Sequence, residues 1–166
     1  MQRRPEAMKG RIFQLNTSPG GVPKRAVQTV TVGPLGLEGD GVNHPKIHGG
    51  PDRAVCLWSL DQIVALQAEG HPVFPGAAGE NVTLYGLDWD ELAPGTVLQF
   101  GGGDGVQLEI ASYTSPCRTI AAYFAGGQFK RISEARHPGW SRLYARVLHG
   151  GTLTTGDPVR VVDGEV

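Results

Sequence analysis

The sequence predicts a mainly β protein, a closed or nearly closed barrel with a few short helices, and a β-sandwich is the alternative. Glycine (25 of 166 residues) and proline (12) fall between short apolar runs rather than in one block. Those runs have the length of strands. In the clearest of them, Val106, Leu108 and Ile110 alternate with Gln107 and Glu109, so that one face is apolar and the other polar.

The predicted strands follow one another along the whole chain. They cover residues 11–16, 26–32, 54–59, 81–86, 96–101, 106–114, 142–148 and 158–162. A barrel accommodates this many strands without leaving exposed edges. The barrel is therefore preferred over the sandwich.

Two helical regions interrupt the strands. Ser59 is the predicted N-cap of the first helix, Gln62 completes a capping box, and Gly70 ends the helix. Its predicted apolar side consists of Ile63, Val64 and Leu66. One or two short helices are predicted after Cys117, divided by glycines at 126–127.

Length and charge limit the class of protein. At 166 residues and 17.6 kDa the chain suits one domain over residues 1–166. Its net charge of −1, with both signs scattered, does not suit nucleic acids or acidic membranes as partners. Apolar stretches are too short for a bilayer span, and residues 1–10 do not resemble a signal peptide, so we expect a cytoplasmic protein.

Residues able to carry chemistry lie in the joints between strands, and we expect the barrel mouth to gather them. They are Asp40, His48, Asp52, Arg53, Glu80, Asn81, Cys117 and Arg118. The stretch "HGGPDR" (48–53) has two readings. One is a tight turn with a solvated Asp52–Arg53 pair. The other is an anion cradle, in which the backbone N–H groups of Gly49 and Gly50 hold a phosphate together with His48 and Arg53.

The remaining polar joints are weaker signals. Asp40 in "GLEGD" is read as a structural turn residue. Glu80 is expected to be buried against an arginine, and Asn81 to bond either a ligand or a turn. The loop histidines His71 and His149 are expected to be solvated.

The two cysteines differ in their surroundings. Cys56 lies in an apolar strand and is expected to be an inert buried thiol. Cys117 follows a strand, precedes Arg118 and a predicted helix, and is expected to be functional. A cytosolic setting favours free thiols over a disulfide. Zinc is not expected at His44, His48 and Cys56, because Pro45 breaks the helix that would align the histidines.

These motifs together resemble a known family. "GLEGD", "HGGPDRAVCLW", "GEN", a strand ending in "SPC", and "GWSRLYARVL" followed by "GDPV" occur in this order over residues 9–162. The order is similar to the MOSC domain, named for the C-terminal region of molybdenum-cofactor sulfurases, especially its small stand-alone bacterial members. The resemblance implies a barrel related to that of pyruvate kinase and a molybdenum–pterin cofactor.

The resemblance also assigns roles to residues. It implies that Cys117 ligates molybdenum or carries a persulfide. It places His48, Gly49, Gly50 and Arg53 in the glycine-rich block that faces the cofactor, and Asn81 near the same site. Only charge suggests that Arg118 takes part.

Three functions are consistent with this resemblance. The first is a molybdenum-dependent reductase of N-hydroxylated small molecules; its electrons come from a separate reductase, since no iron–sulfur motif is present. The second is a sulfur carrier that receives sulfane sulfur on Cys117 from a donor protein. The third is a non-catalytic binding module. We expect no pyridoxal phosphate, because the resemblance does not include the aminotransferase-like domain of the sulfurases.

Overall fold

The computed structural model describes residues 9–41, 50–102 and 104–162. The strands in these ranges are β1 (Lys9–Thr17), β2 (Arg25–Val27), β3 (Thr29–Gly33), β4 (Gly36–Leu37), β5 (Val55–Ser59), β6 (Val82–Tyr85), β7 (Val97–Phe100), β8 (Gln107–Tyr113), β9 (Leu143–His149), β10 (Gly151–Thr154) and β11 (Pro158–Val162). The helix α1 spans Leu60–Ala68. Short 3₁₀ helices cover Pro51–Arg53, Trp89–Glu91, Arg118–Tyr123, Ala125–Gly127 and Phe129–Ile132.

Seven strands close into a barrel in the order β1, β6, β5, β9, β8, β7, β11 and back to β1. Their pairings are antiparallel except for β5 with β6, which are parallel and joined through α1. Strand β2 extends the sheet beside β1, and β10, β3 and β4 form a second, smaller sheet. The predicted mainly β barrel with short helices is confirmed.

The barrel interior is a continuous apolar core. In-register pairs bring Val55 of β5, Ala145 of β9 and Ile110 of β8 to one face of the sheet. Leu98 and Leu108 pair on the same face between β7 and β8. All five side chains are buried. Because side chains alternate along a strand, the residues between them point to the outer face of the barrel wall.

Helix α1 follows the prediction in part. The Ser59 hydroxyl accepts a hydrogen bond from the Gln62 N–H at 3.2 Å, which confirms the N-cap, and Ile63 and Leu66 are buried. The Gln62 side chain donates to the Gly139 carbonyl instead of completing the capping box. Val64 is 54% exposed, so its predicted place on the buried side is wrong. Ile63, Val64 and Leu66 together span too much of the helix circumference for all three to face the barrel.

Other predicted boundaries are revised. The predicted strand 26–32 is two strands, since β2 pairs with β1 and β3 pairs with β10 and β4. Strands β4 and β10 were not predicted, because they are short and begin with glycine. The predicted helices after Cys117 are present as 3₁₀ turns.

His71 is a buried residue, not the solvated loop residue that was predicted. It is 7% exposed, its Nδ1 accepts a hydrogen bond from the Ala125 N–H at 3.0 Å, and its ring packs on Phe124. The 3₁₀ turns at 118–127 cover it, and such coverage by a distant segment leaves no local sequence signal.

Within the described ranges, no helix has both the length and the apolar character needed to cross a bilayer.

Candidate functional site

A cavity of about 410 Å³ lies against the outer face of the barrel wall at β5 and β9. Cys56 of β5 pairs directly with Tyr144 of β9, both on the face opposite the core, and Arg142 lies two residues before Tyr144 on the same face. Residues of the loop after β1 and of the turn between β3 and β4 form the other walls. The positions of these residues in the strand joints had predicted a site at the barrel mouth. The site lies instead against the outer face of the barrel wall.

The end of β8 brings the second cysteine to this cavity. The register between β8 and β9 shifts between Ile110 and Ser112, and the Thr114 N–H then donates to the Arg142 carbonyl at 2.9 Å. Such irregularities bend a strand and redirect the side chains that follow. Beyond it, Cys117 is exposed and lines the cavity, and its Sγ contacts the Thr119 hydroxyl.

The turn at 50–53 closes one side of the cavity. Gly50 has φ 101° and ψ 168°, and Pro51–Arg53 form one turn of 3₁₀ helix. Asp52 accepts a hydrogen bond from Arg146 of β9 at 3.0 Å, and Arg146 also donates to Glu109 of β8 at 2.7 Å. Asp52 is thus bound to the barrel wall and does not pair with Arg53.

The Arg53 side chain reaches the cavity on the same turn. Its guanidinium carbon lies 5.5 Å from the centre of the Tyr144 ring, within the range of a cation–π contact. Burial raises the pKa of Tyr144 to about 12, so its hydroxyl stays protonated at neutral pH. The cavity thus contains a neutral phenol with a cation beside its ring.

Asn81 and Asp40 belong to one hydrogen-bond network. The Asn81 side chain accepts from the Cys56 N–H at 2.9 Å and donates to Asp40 at 2.9 Å and to the Asn16 carbonyl at 3.3 Å. Asp40 also accepts from the Ser18 N–H at 3.0 Å and from Lys24 at 2.7 Å. These bonds join the loop after β4 to β1 and β5, which agrees with the structural reading of Asp40.

Glu80 is fully buried beside this network. One carboxyl oxygen accepts from the Gly76 N–H at 2.8 Å and from the Thr83 hydroxyl at 3.0 Å, and the other has no partner among the described residues. Burial raises the pKa of Glu80. Arg142 opposes this rise electrostatically but forms no ion pair with Glu80 within 4.0 Å.

Cys56 is 6% exposed, yet it borders the cavity. Burial raises the pKa of its thiol, and this effect exceeds the opposite effects of Arg142 and Lys24. Both cysteines are free, as predicted, and Cys56 is buried, as predicted. Its place on the wall of the site was not foreseen, because an apolar strand gives no sign of which face adjoins a cavity.

Arg142 is a site residue that sequence analysis missed. It is 7% exposed and lines the cavity, its Nη1 donates to the Ala78 carbonyl at 2.6 Å, and its Nε has no partner among the described residues. In "GWSRLYARVL" it reads as an ordinary polar residue at the start of the predicted strand 142–148. Only the loops that cover this face of β9 bury it.

The structure thus brings together part of the predicted set. Gly50, Arg53, Asn81 and Cys117 line the cavity, with Asp40 beside Asn81. Asp52, Glu80 and Arg118 are not among the described lining residues, and Arg118 is exposed. His48 and Gly49, as well as His44, lie outside the described residues. In the ranges that are described, no three His, Cys, Asp or Glu side chains are grouped to hold a metal ion.

Comparison with known proteins identifies relatives over most of the chain. A family model for the MOSC domain matches residues 44–160. YflK of Bacillus subtilis strain 168 is 29% identical over 121 residues, covering 72% of this chain and 52% of YflK. YiiM of Escherichia coli strain K12 is 28% identical over 137 residues, covering 77% of this chain and 57% of YiiM. The chain therefore spans a little over half the length of these curated relatives.

Solved structures show the same fold. The crystal structure of YiiM from Geobacillus stearothermophilus has a TM-score of 0.70 at 26% identity, covering 93% of this chain and 75% of that one. The YuaD protein from Bacillus subtilis has a TM-score of 0.71 at 20% identity, covering 93% of this chain and 96% of that one. At 20% identity, the likeness to YuaD concerns the fold alone.

Proposed function

The chain belongs to the MOSC domain family, and we propose that it binds a molybdenum–pterin cofactor in the cavity against β5 and β9. The observation that carries this proposal is an exposed thiol, Cys117, on the wall of a cavity whose described lining includes three cationic side chains and one carboxylate. The cations are those of Lys24, Arg53 and Arg142, and the carboxylate is that of Asp40.

The residues present suit such a group. A thiolate is a soft ligand that suits a softer metal centre. The cofactor carries a phosphate, and the guanidinium groups of Arg53 and Arg142 are suited to bind phosphate oxygens in charge-assisted hydrogen bonds. Arg142 is buried on the cavity wall, and its Nε has no partner among the described residues, so its charge is incompletely bonded beside the cavity.

Each residue then has a defined task. Cys117 would ligate the metal, and Gly50 and Arg53 would border the cofactor, together with His48 and Gly49 of the same block. Asn81 would hold the cavity wall, because its side-chain amide is already bonded to Cys56, Asn16 and Asp40. Arg118, exposed and next to Cys117 in the chain, would add positive charge near the thiol.

The proposed activity is the reduction of N-hydroxylated small molecules. When bound, the cofactor would supply the two-electron chemistry that removes oxygen from the substrate, with electrons from a separate reductase. The chain's own contribution is to bind and orient. Tyr144 keeps its proton at neutral pH and so presents a neutral phenol to the cavity.

Metal and pterin content of the purified protein test the proposal. After expression in a host that makes the cofactor, the wild type should hold close to one molybdenum and one pterin per chain. Cys117→Ser should lose molybdenum, because a hydroxyl stays protonated near neutral pH and is a hard ligand. Cys56→Ser is the matched control and should keep its metal.

The outcome also separates the other two functions. A persulfide on Cys117, seen by mass spectrometry as one added sulfur atom in a metal-free protein, would replace the reductase by a sulfur carrier. Protein that stays free of molybdenum, pterin and persulfide under saturating supply would be a binding module.

Arg53→Ala tests the glycine-rich block. Losing a charge-assisted contact of about 1.5–3 kcal/mol should weaken cofactor retention roughly ten- to hundredfold while the barrel stays folded. If the variant retains the cofactor as well as the wild type does, Arg53 does not bind the cofactor and its role is limited to its contact with the Tyr144 ring.

A further inference from the structure

We propose that the outer barrel face where β1 meets β11 is a second ligand site, which binds a diphosphate group between Lys9, Arg11 and Arg160. The diphosphate is either the free inorganic anion or part of a nucleotide. A cleft of about 480 Å³ on this face is lined by residues of β1, β6, β7 and β11. The described residues that line it do not line the cavity at β5 and β9, so the site goes beyond the proposed function.

Strand register places the three cations side by side. Lys9 of β1 pairs directly with Arg160 of β11, and Arg11 lies two residues beyond Lys9 on the same face. Directly paired residues have Cβ atoms about 4.5–5.5 Å apart. All three cations are exposed and line the cleft. They point outward, because their chain neighbours Ile12 and Val159 are buried in the core.

The described residues place no carboxylate against these cations. None of the three has an Asp or Glu oxygen of those residues within 4.0 Å, and the described lining of the cleft contains no acidic residue. Arg11 donates to the Gly156 carbonyl at 2.9 Å, whereas Lys9 and Arg160 have no acceptor in the described part of the chain. Like charges directly opposite on neighbouring strands are destabilising. A bound anion would relieve the repulsion between Lys9 and Arg160.

The groups on either side of the cations suit a small phosphorylated ligand. Tyr85 of β6 pairs with Arg11 and is 39% exposed, so an aromatic ring borders the cleft on that side. Gln99 of β7 pairs with Arg160, is 2% exposed, and donates from its side chain to the Gly102 carbonyl at 2.8 Å, which fixes the opposite wall. Lysine and arginine bind phosphate oxygens in charge-assisted hydrogen bonds, and aromatic rings stack on nucleotide bases.

A compact anion fits this face better than a nucleic acid does. Proteins that bind nucleic acids through the backbone contact about six to ten phosphates, whereas the cleft offers three cations on a chain of net charge −1. At the β6 end of the cleft, Asp61 accepts a hydrogen bond from the Gly86 N–H at 3.3 Å. Its negative charge opposes an anionic chain that continues in that direction.

Calorimetric titration of the purified protein with inorganic diphosphate at low ionic strength tests the site. The wild type should bind with a Kd of about 1 mM or tighter. Arg160→Gln and Lys9→Gln should each weaken binding roughly fivefold or more, because each loses a charge-assisted contact. Arg25→Gln removes the same charge from an exposed position of β2 outside the cleft and should change the Kd by less than about twofold. Absence of binding by the wild type, or equal binding by the wild type and Arg160→Gln, would overturn the proposal.

Backbone amide NMR signals of the wild type locate the ligand without any substitution. The signals of Gly10, Gly86 and Val159 should shift with the same midpoint as the calorimetric titration. Shifts confined to residues of the other cavity, such as Cys56 and Tyr144, would place the anion there and refute the second site.

Titration with ADP distinguishes the two sources of the diphosphate. If the ligand is a nucleotide, ADP should bind more tightly than inorganic diphosphate, and Tyr85→Leu should remove the difference through loss of ring stacking. If the ligand is the free anion, ADP should bind no more tightly. Both results support the site and assign its ligand, whereas tighter binding of a single-stranded oligonucleotide than of either would overturn the small-ligand assignment. Neither titration requires molybdenum, so this site and the proposed function fail independently.

Discussion

Two free thiols border the same cavity in different surroundings. Cys117 is exposed beyond the end of β8, whereas Cys56 lies within β5, and burial raises the pKa of its thiol. Only the thiolate reacts readily with alkylating agents. The reactivity of the two residues should therefore differ for reasons of both access and ionisation.

Alkylation of the native, cofactor-free protein should label Cys117 first. At neutral pH we expect Cys117 to react roughly tenfold faster or more than Cys56. The labelling rate of Cys56 should rise with pH and level off at a higher pH than for an ordinary thiol, because its folded-state pKa is raised. Peptide mapping after iodoacetamide treatment measures both rates, and unfolding in urea, which should make them similar, is the control. Faster labelling of Cys56 would remove Cys117 as the reactive thiol.

Glu80 should make stability depend on pH. Its folded-state pKa is raised by burial above the unfolded value of about 4.5, so its favourable contribution is complete below that pH and is lost as the pH rises. Glu80→Gln cannot ionise and still offers an acceptor to Gly76 and Thr83. The free energy of unfolding of Glu80→Gln relative to that of the wild type, measured by urea denaturation, should therefore increase from pH 4 to pH 8.

Glu69→Gln is the control of opposite sign for the Glu80 experiment. A hydrogen bond from Arg131 lowers the pKa of Glu69, so its contribution is present at neutral pH and is lost as the pH falls. This variant should lose stability relative to the wild type near neutral pH and approach it in acid. Parallel pH trends for the two variants would contradict a raised pKa at Glu80.

Sequence reasoning worked at this scale where the signal was local. The apolar run around Cys56 predicted a buried strand residue, and the capping position of Ser59 was confirmed. It failed for His71 and Arg142, which are buried by segments distant in the chain. Neither residue type nor spacing reports such coverage, so polar residues on the outer barrel wall look solvated in the sequence.

Among the elements, the 3₁₀ turn at Pro51–Arg53 is the one that the site depends on most. It is attached to β9 and β8 through Asp52, Arg146 and Glu109, and it carries Arg53 to the Tyr144 ring. A tight turn was one of the two readings of the local sequence here, indicated by the glycines before Pro51, and the anion cradle was the other. The partner of Asp52 lies 94 residues away and had no local signal.

Replacing Gly50 tests that turn. Its φ of 101° with ψ of 168° is a conformation that essentially only glycine adopts, so Gly50→Ala should cost about 1–3 kcal/mol although a Cβ built there meets no described heavy atom within 4 Å. Gly102→Ala, in a loop with space and no positive φ, is the matched control and should change stability by about 0.5 kcal/mol or less. Chemical denaturation measures both. Equal effects would mean that the turn can adjust without strain.

Across the whole molecule, the strand pattern was sufficient for the barrel but not for its companion sheet. Strands with clear alternation, such as β8, belong to the barrel, whereas β4 and β10 have two and four residues; β4 pairs with its neighbour β3, and β10 pairs with β3 from far along the chain. The break between β2 and β3 is likewise set by which strands they meet, since β2 joins the barrel sheet and β3 joins β10. From this smaller sheet, the turn between β3 and β4 and the residue Leu37 of β4 line the cavity, and these short segments gave no sequence sign of a wall outside the barrel.

Barrel closure depends on β1, the strand that pairs with both β11 and β6. Gly10 sits at this seam, and a Cβ built there would lie 2.2 Å from the Tyr85 carbonyl oxygen, a backbone atom that can move only with β6. Gly10→Ala should therefore destabilise the whole barrel by about 1–3 kcal/mol, as overpacking does in cores. Gly33→Ala, also in a strand but with open space around the new methyl group, should stay within about 0.5 kcal/mol of the wild type. Urea denaturation followed by near-ultraviolet circular dichroism measures both free energies, and because β1 joins the two ends of the sheet, the Gly10 variant should lower the midpoint of a single cooperative transition. Equally small losses of stability in both variants would show that β1 and β6 can move apart to admit the added methyl group.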